Sequence, residues 1–273
     1  MEPLLSVSLD VGYPSKPKVL DNLTFDILPG EIVGFVGHSG SGKSTVAFSI
    51  LGLLPSRASV QGYVRYRGKN LLECSSSEMR AIRGKKITLA LQAAASALNP
   101  HLRIDTQMRE AWNAHERTPW SDGRRRALDT LAAMDLECDE SFLRRYPREV
   151  SIGQAQRIIL AMALLHRPEL LIADEPTSAL DLLAQVELLR LLEKLNVEFG
   201  ISILYISHDL GSVKQLCDRI CVLAGGRIAE SGTPEQIFDN PGTAFTRSLI
   251  AAHRALNTSR ECAYAAINVP TPR

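Results

Sequence analysis

A nine-residue segment from Gly37 to Thr45 carries the residues best suited to chemistry in this chain. It fits the pattern G-x-x-x-x-G-K-[ST]. Small residues let backbone N–H groups converge on phosphate oxygens, and Lys43 adds a full positive charge. The Ser44 hydroxyl is the kind of hard oxygen ligand that Mg²⁺ takes beside nucleotide phosphates. We therefore expect phosphate binding by all of these residues: Gly37, His38, Ser39, Gly40, Ser41, Gly42, Lys43, Ser44 and Thr45.

Two carboxylates follow an apolar run later in the chain. Asp174 and Glu175 come directly after the β-prone segment from Leu170 to Ala173. An aspartate at the end of such a strand can hold Mg²⁺ through water beside a phosphate-binding loop. Glu175 is placed to polarise an attacking water, although a capping Asp-Glu pair after a buried strand would give the same pattern. Together with the loop, the pair predicts hydrolysis of a nucleoside triphosphate.

Two further motifs are candidates for phosphate contacts. Ser151 and Gln154 have the spacing of a capping box at the start of the most apolar helical segment, which alone would be structural. A capped helix N-terminus that also carries a glycine, here Gly153, can bind an anion. His208 follows the apolar segment from Ser202 to Ile206, which predicts a strand of the sheet. Phosphate-loop folds place catalytic groups at the sheet edge where such strands end.

The elements around these residues predict an α/β fold. A β-prone run, Glu31 to Val36, precedes the loop, and a helical apolar stretch, Val46 to Leu51, follows it, as the motif requires. Alternating segments near the N-terminus predict an antiparallel sheet, and strands alternate with helices after residue 150. Predicted strands are 5–11, 23–27, 60–68, 87–92, 170–173, 202–206, 219–223 and 227–230; predicted helices are 184–199, 233–238 and 244–256.

The domain organisation predicted is one phosphate-loop ATPase domain over residues 1–256. Its mixed sheet with flanking helices carries an N-terminal antiparallel β subdomain. The stretch from about 97 to 150 is charged, favours helix and contains Pro100, Pro119 and Pro147, which predicts a helical subdomain insert. Residues 257–273 carry little pattern, so we expect a poorly ordered tail there.

Composition excludes several classes of protein. The 31 basic and 30 acidic residues give a net charge of +1, which does not favour nucleic acid. No apolar run approaches the roughly 18 residues of a membrane span, and no signal peptide is evident, which predicts a cytoplasmic protein. The cysteines lack zinc-like pairing and are expected to be free thiols: Cys74, Cys138, Cys217, Cys221 and Cys262.

The order of the motifs resembles the ATP-binding-cassette (ABC) ATPase. Besides the motifs already named, the resemblance rests on Gln92 after a strand, Asp-Glu-Pro-Thr at 174–177, Ser178-Ala-Leu-Asp181 and Ser207-His208-Asp209. The resemblance covers about residues 4–250. It implies two cassettes that dimerise head to tail around two ATPs. Each ATP then lies between the phosphate loop of one subunit and the Ser-x-Gly-Gln signature of the other.

The resemblance also implies roles for single residues. Glu175 matches the catalytic glutamate, and His208 matches the switch histidine that holds the γ-phosphate. Gln92 resembles the glutamine that contacts Mg²⁺ and couples to the membrane domain, and Asp181 matches the aspartate that links the two sites. Tyr13 stands where a family aromatic stacks on adenine, with a solvent-facing strand tyrosine as the alternative. Within this resemblance, Lys43, Mg²⁺, His208 and the partner's signature stabilise the charge that develops on the γ-phosphate.

Two segments resemble the branch of the family that drives dipeptide, oligopeptide and nickel importers: Leu98-Asn-Pro100 and the stretch from Asn240 to Ile250. Three features depart from that branch. Ile152 replaces the usual glycine of the signature, Ala93-Ala-Ala95 follows Gln92, and a C-terminal cysteine cluster is absent, which argues against an iron–sulfur cluster. If Ile152 points to the partner's nucleotide, we expect a slower ATP site there; if it points to the core, no effect follows.

The function predicted is an ATP-hydrolysing, ATP-Mg-binding subunit of an importer for peptides or a related small solute, nickel included. It would lie on the cytoplasmic face of the membrane. Expected partners are a second ATPase subunit (heterodimer preferred, homodimer open), two permease subunits that dock on the insert, and indirectly a substrate-binding protein, with no nucleic acid. Alternatives are a soluble non-transport cassette ATPase, which would need a long coiled-coil insert or a second cassette, and a regulatory ATP-binding subunit with weak turnover. A GTPase is disfavoured because Asn-Lys-x-Asp does not occur.

Overall fold

The chain folds into two sheets surrounded by helices. The structure, a computed structural model, describes residues 2–90, 97–178 and 180–267, with side chains described up to residue 255. The strands are β1 Leu5–Tyr13, β2 Lys16–Ile27, β3 Ile32–Gly37, β4 Ser59–Tyr66, β5 Lys69–Asn70, β6 Ile87–Ala90, β7 Leu170–Asp174, β8 Ser202–Ile206, β9 Arg219–Ala224 and β10 Arg227–Gly232.

The described helices flank these strands and fill the insert. They are α1 Lys43–Ile50, α2 Ser76–Ile82, α3 Ile104–Asn113, α4 Trp120–Ala133, α5 Glu140–Leu143, α6 Ile152–Leu164, α7 Leu182–Phe199, α8 Leu210–Leu216, α9 Pro234–Asp239 and α10 Ala244–Ile267. Short 3₁₀ turns occur at Leu71–Glu73 and Pro147–Glu149.

The larger sheet determines where the chemistry can occur. Its strand order is β10-β9-β3-β8-β7-β6, with parallel pairing throughout except for the antiparallel edge strand β10. The smaller sheet has the antiparallel order β2-β1-β4-β5. The carboxyl ends of β3, β7 and β8 therefore meet at one edge, which is where ligands bind in open α/β sheets. The predicted fold class, including the antiparallel subdomain and the helical insert, is confirmed.

Two hydrophobic clusters cover the faces of the larger sheet. In β8, Ile203 and Tyr205 belong to the cluster formed with the helices, whereas Leu204 and Ile206 belong to the cluster shared with the antiparallel sheet. This alternation follows from the two-residue period of a strand that is buried on both faces. The insert packs into the first cluster through α4, which contacts α6, so it rests on the same core that positions the sheet edge.

The terminal helix differs from its predicted extent. It was expected to end at Leu256, but α10 runs to Ile267. The reason is visible in the sequence, since residues 257–267 contain no proline or glycine and include several alanines. The short helix α2 was not predicted, and α8 was expected only as a change from helix to strand between Cys217 and Cys221, which the structure confirms.

The thiol prediction agrees with the structure where the cysteine side chains are described. Four described cysteines are free, namely Cys74, Cys138, Cys217 and Cys221, and the side chain of Cys262 lies outside the described part. Among the described residues, no helix combines the length and apolar character that crossing a bilayer requires.

Candidate active site

The segment from Gly37 to Thr45 connects β3 to α1 as a tight glycine-rich loop. Gly37 and Gly42 have φ angles of 154° and 106°, which side chains disfavour. A Cβ atom at Gly37 would stand 2.4 Å from the carbonyl oxygen of Leu223, and one at Gly42 would stand 2.6 Å from a methyl of Leu20. Only glycine fits these positions, so the backbone at both ends of the loop stays free of side chains.

Lys43 is buried within the loop that it follows. Its Nζ donates to the carbonyl oxygens of Gly37 at 2.8 Å and His38 at 3.2 Å. Burial lowers the pKa of Lys43, and the carboxylates of Glu175 and Asp174 act in the opposite direction. Since the first turn of α1 contains no acidic residue, the positive end of the helix dipole is not offset locally. The loop is thus prepared for an anion.

Asp174 ends β7 and is only 5% exposed. Its Oδ1 has no hydrogen-bond partner among the described residues. Burial raises the pKa of Asp174, while a hydrogen bond with the Ser44 side chain and the charge of Lys43 lower it. A buried carboxylate oxygen beside a serine hydroxyl is a hard oxygen donor set, so these residues fit Mg²⁺.

Glu175 and His208 contact each other at the mouth of the cleft that the phosphate loop lines. The carboxylate Oε2 of Glu175 lies 2.5 Å from Nδ1 of His208. Glu175 has a left-handed φ of 53°, and its backbone N–H donates to the carbonyl oxygen of Ile206 at 2.9 Å. The last residues of β7 and β8 therefore hold this pair at the shared sheet edge.

Most of the sequence-predicted residues fall into two groups that line separate clefts, and Gly37, His38, Ser41 and Asp174 line neither cleft. A cleft of about 720 Å³ is lined by Tyr13, the loop residues from Ser39 to Thr45 other than Ser41, Glu175 and His208. A separate cleft of about 620 Å³ is lined by the other group, Ser151, Gly153, Gln154 and Asp181, together with Ile152. Gln92 lies outside the described residues.

The second group takes part in helix caps within its own chain. Ser151 and Gln154 form the predicted capping box at α6, with distances of 2.9 and 3.1 Å. Asp181 caps α7 by accepting from the N–H of Ala184 at 2.9 Å. Ile152 is 55% exposed in the first turn of α6, so its side chain does not point into the core.

Two contacts to the site were not anticipated from the sequence. The His38 ring lies edge-on to Phe245 of α10, with centroids 5.3 Å apart and planes at 90°. The side chain of Gln185 in α7 donates to Asp209 beside His208 at 2.5 Å. The two members of each pair are far apart in sequence, so no local pattern could have indicated these contacts.

Comparison with known proteins matches this arrangement to a family. The family described as "ABC transporter" matches residues 20–178. The chain belongs to the ABC transporter family. The matched segment contains both the phosphate loop and the Asp174–Glu175 pair, which lie at the edge of one sheet.

Individual relatives extend the likeness over nearly the whole chain. The peptidoglycan transport ATP-binding protein YejF of Agrobacterium fabrum is 44% identical over 257 residues, covering 92% of this chain and 47% of that relative. The chain therefore spans about half the length of that relative. The oligopeptide transport ATP-binding protein OppD of Haemophilus influenzae is 37% identical over 265 residues, covering 96% of this chain and 82% of that protein.

A solved structure agrees with the fold of this ABC chain. The ATP-binding cassette MJ0796, in a dimeric post-hydrolysis state bound to ADP and Pi, has a TM-score of 0.72 and 28% identity. The match covers 84% of this chain and 98% of that one.

Proposed function

We propose that this chain is the ATPase subunit of an importer for peptides or a related small solute. The names of two relatives, which refer to peptidoglycan transport and to oligopeptide transport, support this cargo. Nickel stays an alternative, because the resembling importer branch includes nickel systems. In this proposal the chain lies at the cytoplasmic face of the membrane, against two permease subunits, and depends indirectly on an extracytoplasmic binding protein.

Nucleotide binding begins at the phosphate loop. Lys43 exchanges its two carbonyl contacts for phosphate oxygens, and the loop N–H groups bind the same phosphates. Tyr13, at the end of β1 and on the wall of the cleft, stacks on adenine. Ser44 and Asp174 are the described residues that would hold Mg²⁺, with Gln92 as the third candidate. The ion supplies charge neutralisation at the phosphates when bound.

Glu175 and His208 serve the hydrolytic step. The Glu175 carboxylate orients a water molecule and accepts its proton as the water oxygen attacks the γ-phosphorus. The bond from that phosphorus to the β-phosphate oxygen breaks in the same step, so ADP leaves and phosphate is formed. His208 contacts the γ-phosphate and holds Glu175 in position through the hydrogen bond described above. This short contact between two groups that follow different strands, beside the phosphate loop, is the single observation that carries the catalytic assignment.

A second cassette completes each site. The phosphate loop and the signature Ser151, Gly153 and Gln154 line different clefts, so one chain does not bring both to one nucleotide. Leu182 and Leu183, directly after Asp181, are 76% and 71% exposed. Such apolar side chains suit a subunit interface. We favour a different cassette as partner, with a second copy of this chain as the alternative.

Peptide uptake tests the cargo. Cells lacking this chain should take up a labelled tripeptide at least tenfold more slowly than the parent, and the wild-type chain but not Glu175→Gln should restore uptake. Unchanged tripeptide uptake together with lost nickel uptake would move the cargo assignment to nickel. If neither uptake changes, the chain is not an importer subunit for these solutes.

A further inference from the structure

A cavity of about 470 Å³ lies between the helical insert and the core, away from the phosphate loop. Its walls come from α4, the segment after α6, and the end of α7. Pro168 and Glu169 line it just before β7 begins, whereas Asp174 ends that strand. Along the strand this is a separation of roughly 16 Å. The cavity is therefore a site distinct from the nucleotide cleft.

Two guanidinium groups line this cavity. Arg126 of α4 is partly buried and donates through Nε to the carbonyl oxygen of Leu165 at 3.2 Å. Arg167 stands next to it with a left-handed φ of 51°. Neither forms a salt bridge with any carboxylate in the described parts of the chain. Two like charges held together at a cavity without an ion-pair partner are an unfavourable arrangement that an anion relieves.

The remaining walls of the cavity combine apolar and acidic groups. Leu164, Leu195 and Ile201 are buried and form apolar surface, and the Phe199 ring at the rim is 47% exposed. Apolar walls with a few convergent charges are typical of small-molecule sites.

The acidic lining residues restrict the charge of a ligand. Glu169 is paired with Arg67 at 2.6 Å and with Lys86 at 3.1 Å, so its charge is offset. Asp129 and Glu198 are exposed and would repel a multiply charged anion.

We propose that this cavity binds a monoanionic organic carboxylate with an apolar chain. The headgroup would lie between Arg126 and Arg167, and the chain would pack on Leu164 and Leu195. Because the cavity joins α4 of the insert to α7 of the core, an occupant would fasten the two parts together.

Calorimetric titration of the full chain with octanoate tests the proposal. We expect saturable one-to-one binding, at least tenfold tighter than that of acetate, which lacks the chain, or of octylamine, which has the opposite charge. Arg167→Gln removes an exposed charge, and Ala133→Phe fills the cavity without changing charge. Each should weaken octanoate binding about tenfold or more. Arg125→Gln, an exposed arginine on the same helix outside the cavity, is the matched control and should bind like wild type.

The proposal is overturned if octylamine binds as tightly as octanoate, if octanoate fails to saturate, or if both cavity variants keep wild-type affinity. Affinity for ATP should be the same in all four proteins, because the cavity lies remote from the loop. An ATP affinity that falls together with octanoate affinity would show misfolding of that variant. The octanoate affinity of the other cavity variant then tests the proposal.

Discussion

At the scale of single residues, two groups of the site raise the free energy of the folded protein, namely the Glu175 backbone and the Asp174 carboxylate. Glu175 has a left-handed backbone, which costs about 1–2 kcal/mol in a residue with a side chain. Asp174 buries a carboxylate oxygen that has no partner among the described residues. Such costs persist where surrounding structure enforces them, and they concentrate at functional sites. The phosphate loop and the two strand ends enforce them here.

Replacing the buried carboxylate should stabilise the nucleotide-free protein. We expect Asp174→Asn to raise the free energy of unfolding at pH 7 by about 1 kcal/mol or more, because the amide removes a charge that burial disfavours. Chemical denaturation at several pH values measures this. Glu193→Gln, an exposed carboxylate on α7, is the control and should change little.

The pH dependence of that gain follows from the direction of the pKa shift. Burial raises the pKa of folded Asp174 above its ordinary 3.8, so the folded state carries the charge penalty only where the group is ionised. Below pH 3.8 the carboxyl is protonated in both states and the gain from Asp174→Asn should vanish; above the folded pKa it should be complete. An equal gain at every pH would show that charge burial is not its cause.

At the scale of secondary-structure elements, periodicity and motif spacing predicted most of what positions the site. The strands that carry Gly37, Asp174 and Ile206 were all located from apolar runs, because a strand buried on both faces has no polar interruption. The capping box at Ser151 was predicted because both partners lie within one turn. Contacts between distant segments, such as Phe245 with His38, leave no periodic signal.

The contact between α10 and the phosphate loop should affect nucleotide affinity. Phe245→Ala removes the edge-to-face contact that orders the His38 ring. Binding of ATP must then restrict a more mobile phosphate loop, which costs free energy. We expect the dissociation constant for ATP to rise about two- to tenfold, from the usual strength of such pairs. Phe199→Ala, an exposed ring at the end of α7, serves as control. If His38→Ala and Phe245→Ala add fully in the double variant, the two rings are not coupled.

The first turn of α6 gives a second prediction at this scale. The Ile152 side chain is exposed on the cleft that carries the signature, and a β-branched residue there keeps backbone N–H groups from a close approach. Ile152→Gly should therefore raise ATPase activity of the assembled transporter several-fold, as expected for one regained hydrogen bond. Turnover equal to or below that of the parent, with assembly intact, would show that Ile152 does not limit the site.

At the scale of the whole molecule, one chain presents half of each of two sites. Sequence spacing alone could not predict that the phosphate loop and the signature line two separate clefts. The order of motifs along the chain does not determine which residues face each other in space. The family resemblance supplied that arrangement, and the exposed pair Leu182 and Leu183 beside Asp181 agrees with it.

The identity of the second cassette can be tested by sizing. Since we favour a different partner, the Glu175→Gln variant of this chain, which should trap ATP, is expected to remain largely monomeric in ATP-Mg²⁺ during light-scattering chromatography. Mixing it with the partner cassette should give a dimer. A stable dimer of this chain alone would replace the heterodimer by a homodimer.

The central claim, that Glu175 and the phosphate loop of this chain hydrolyse ATP, is tested most directly by phosphate release. The dimer of this chain with its partner cassette is assayed at saturating ATP-Mg²⁺, beside the same dimer carrying Glu175→Gln in this chain. We predict that the variant releases phosphate about 10²–10⁴ times more slowly, the range for a lost general base. Its ATP affinity by calorimetry should stay within twofold of wild type. Near-normal phosphate release by the variant would contradict the account.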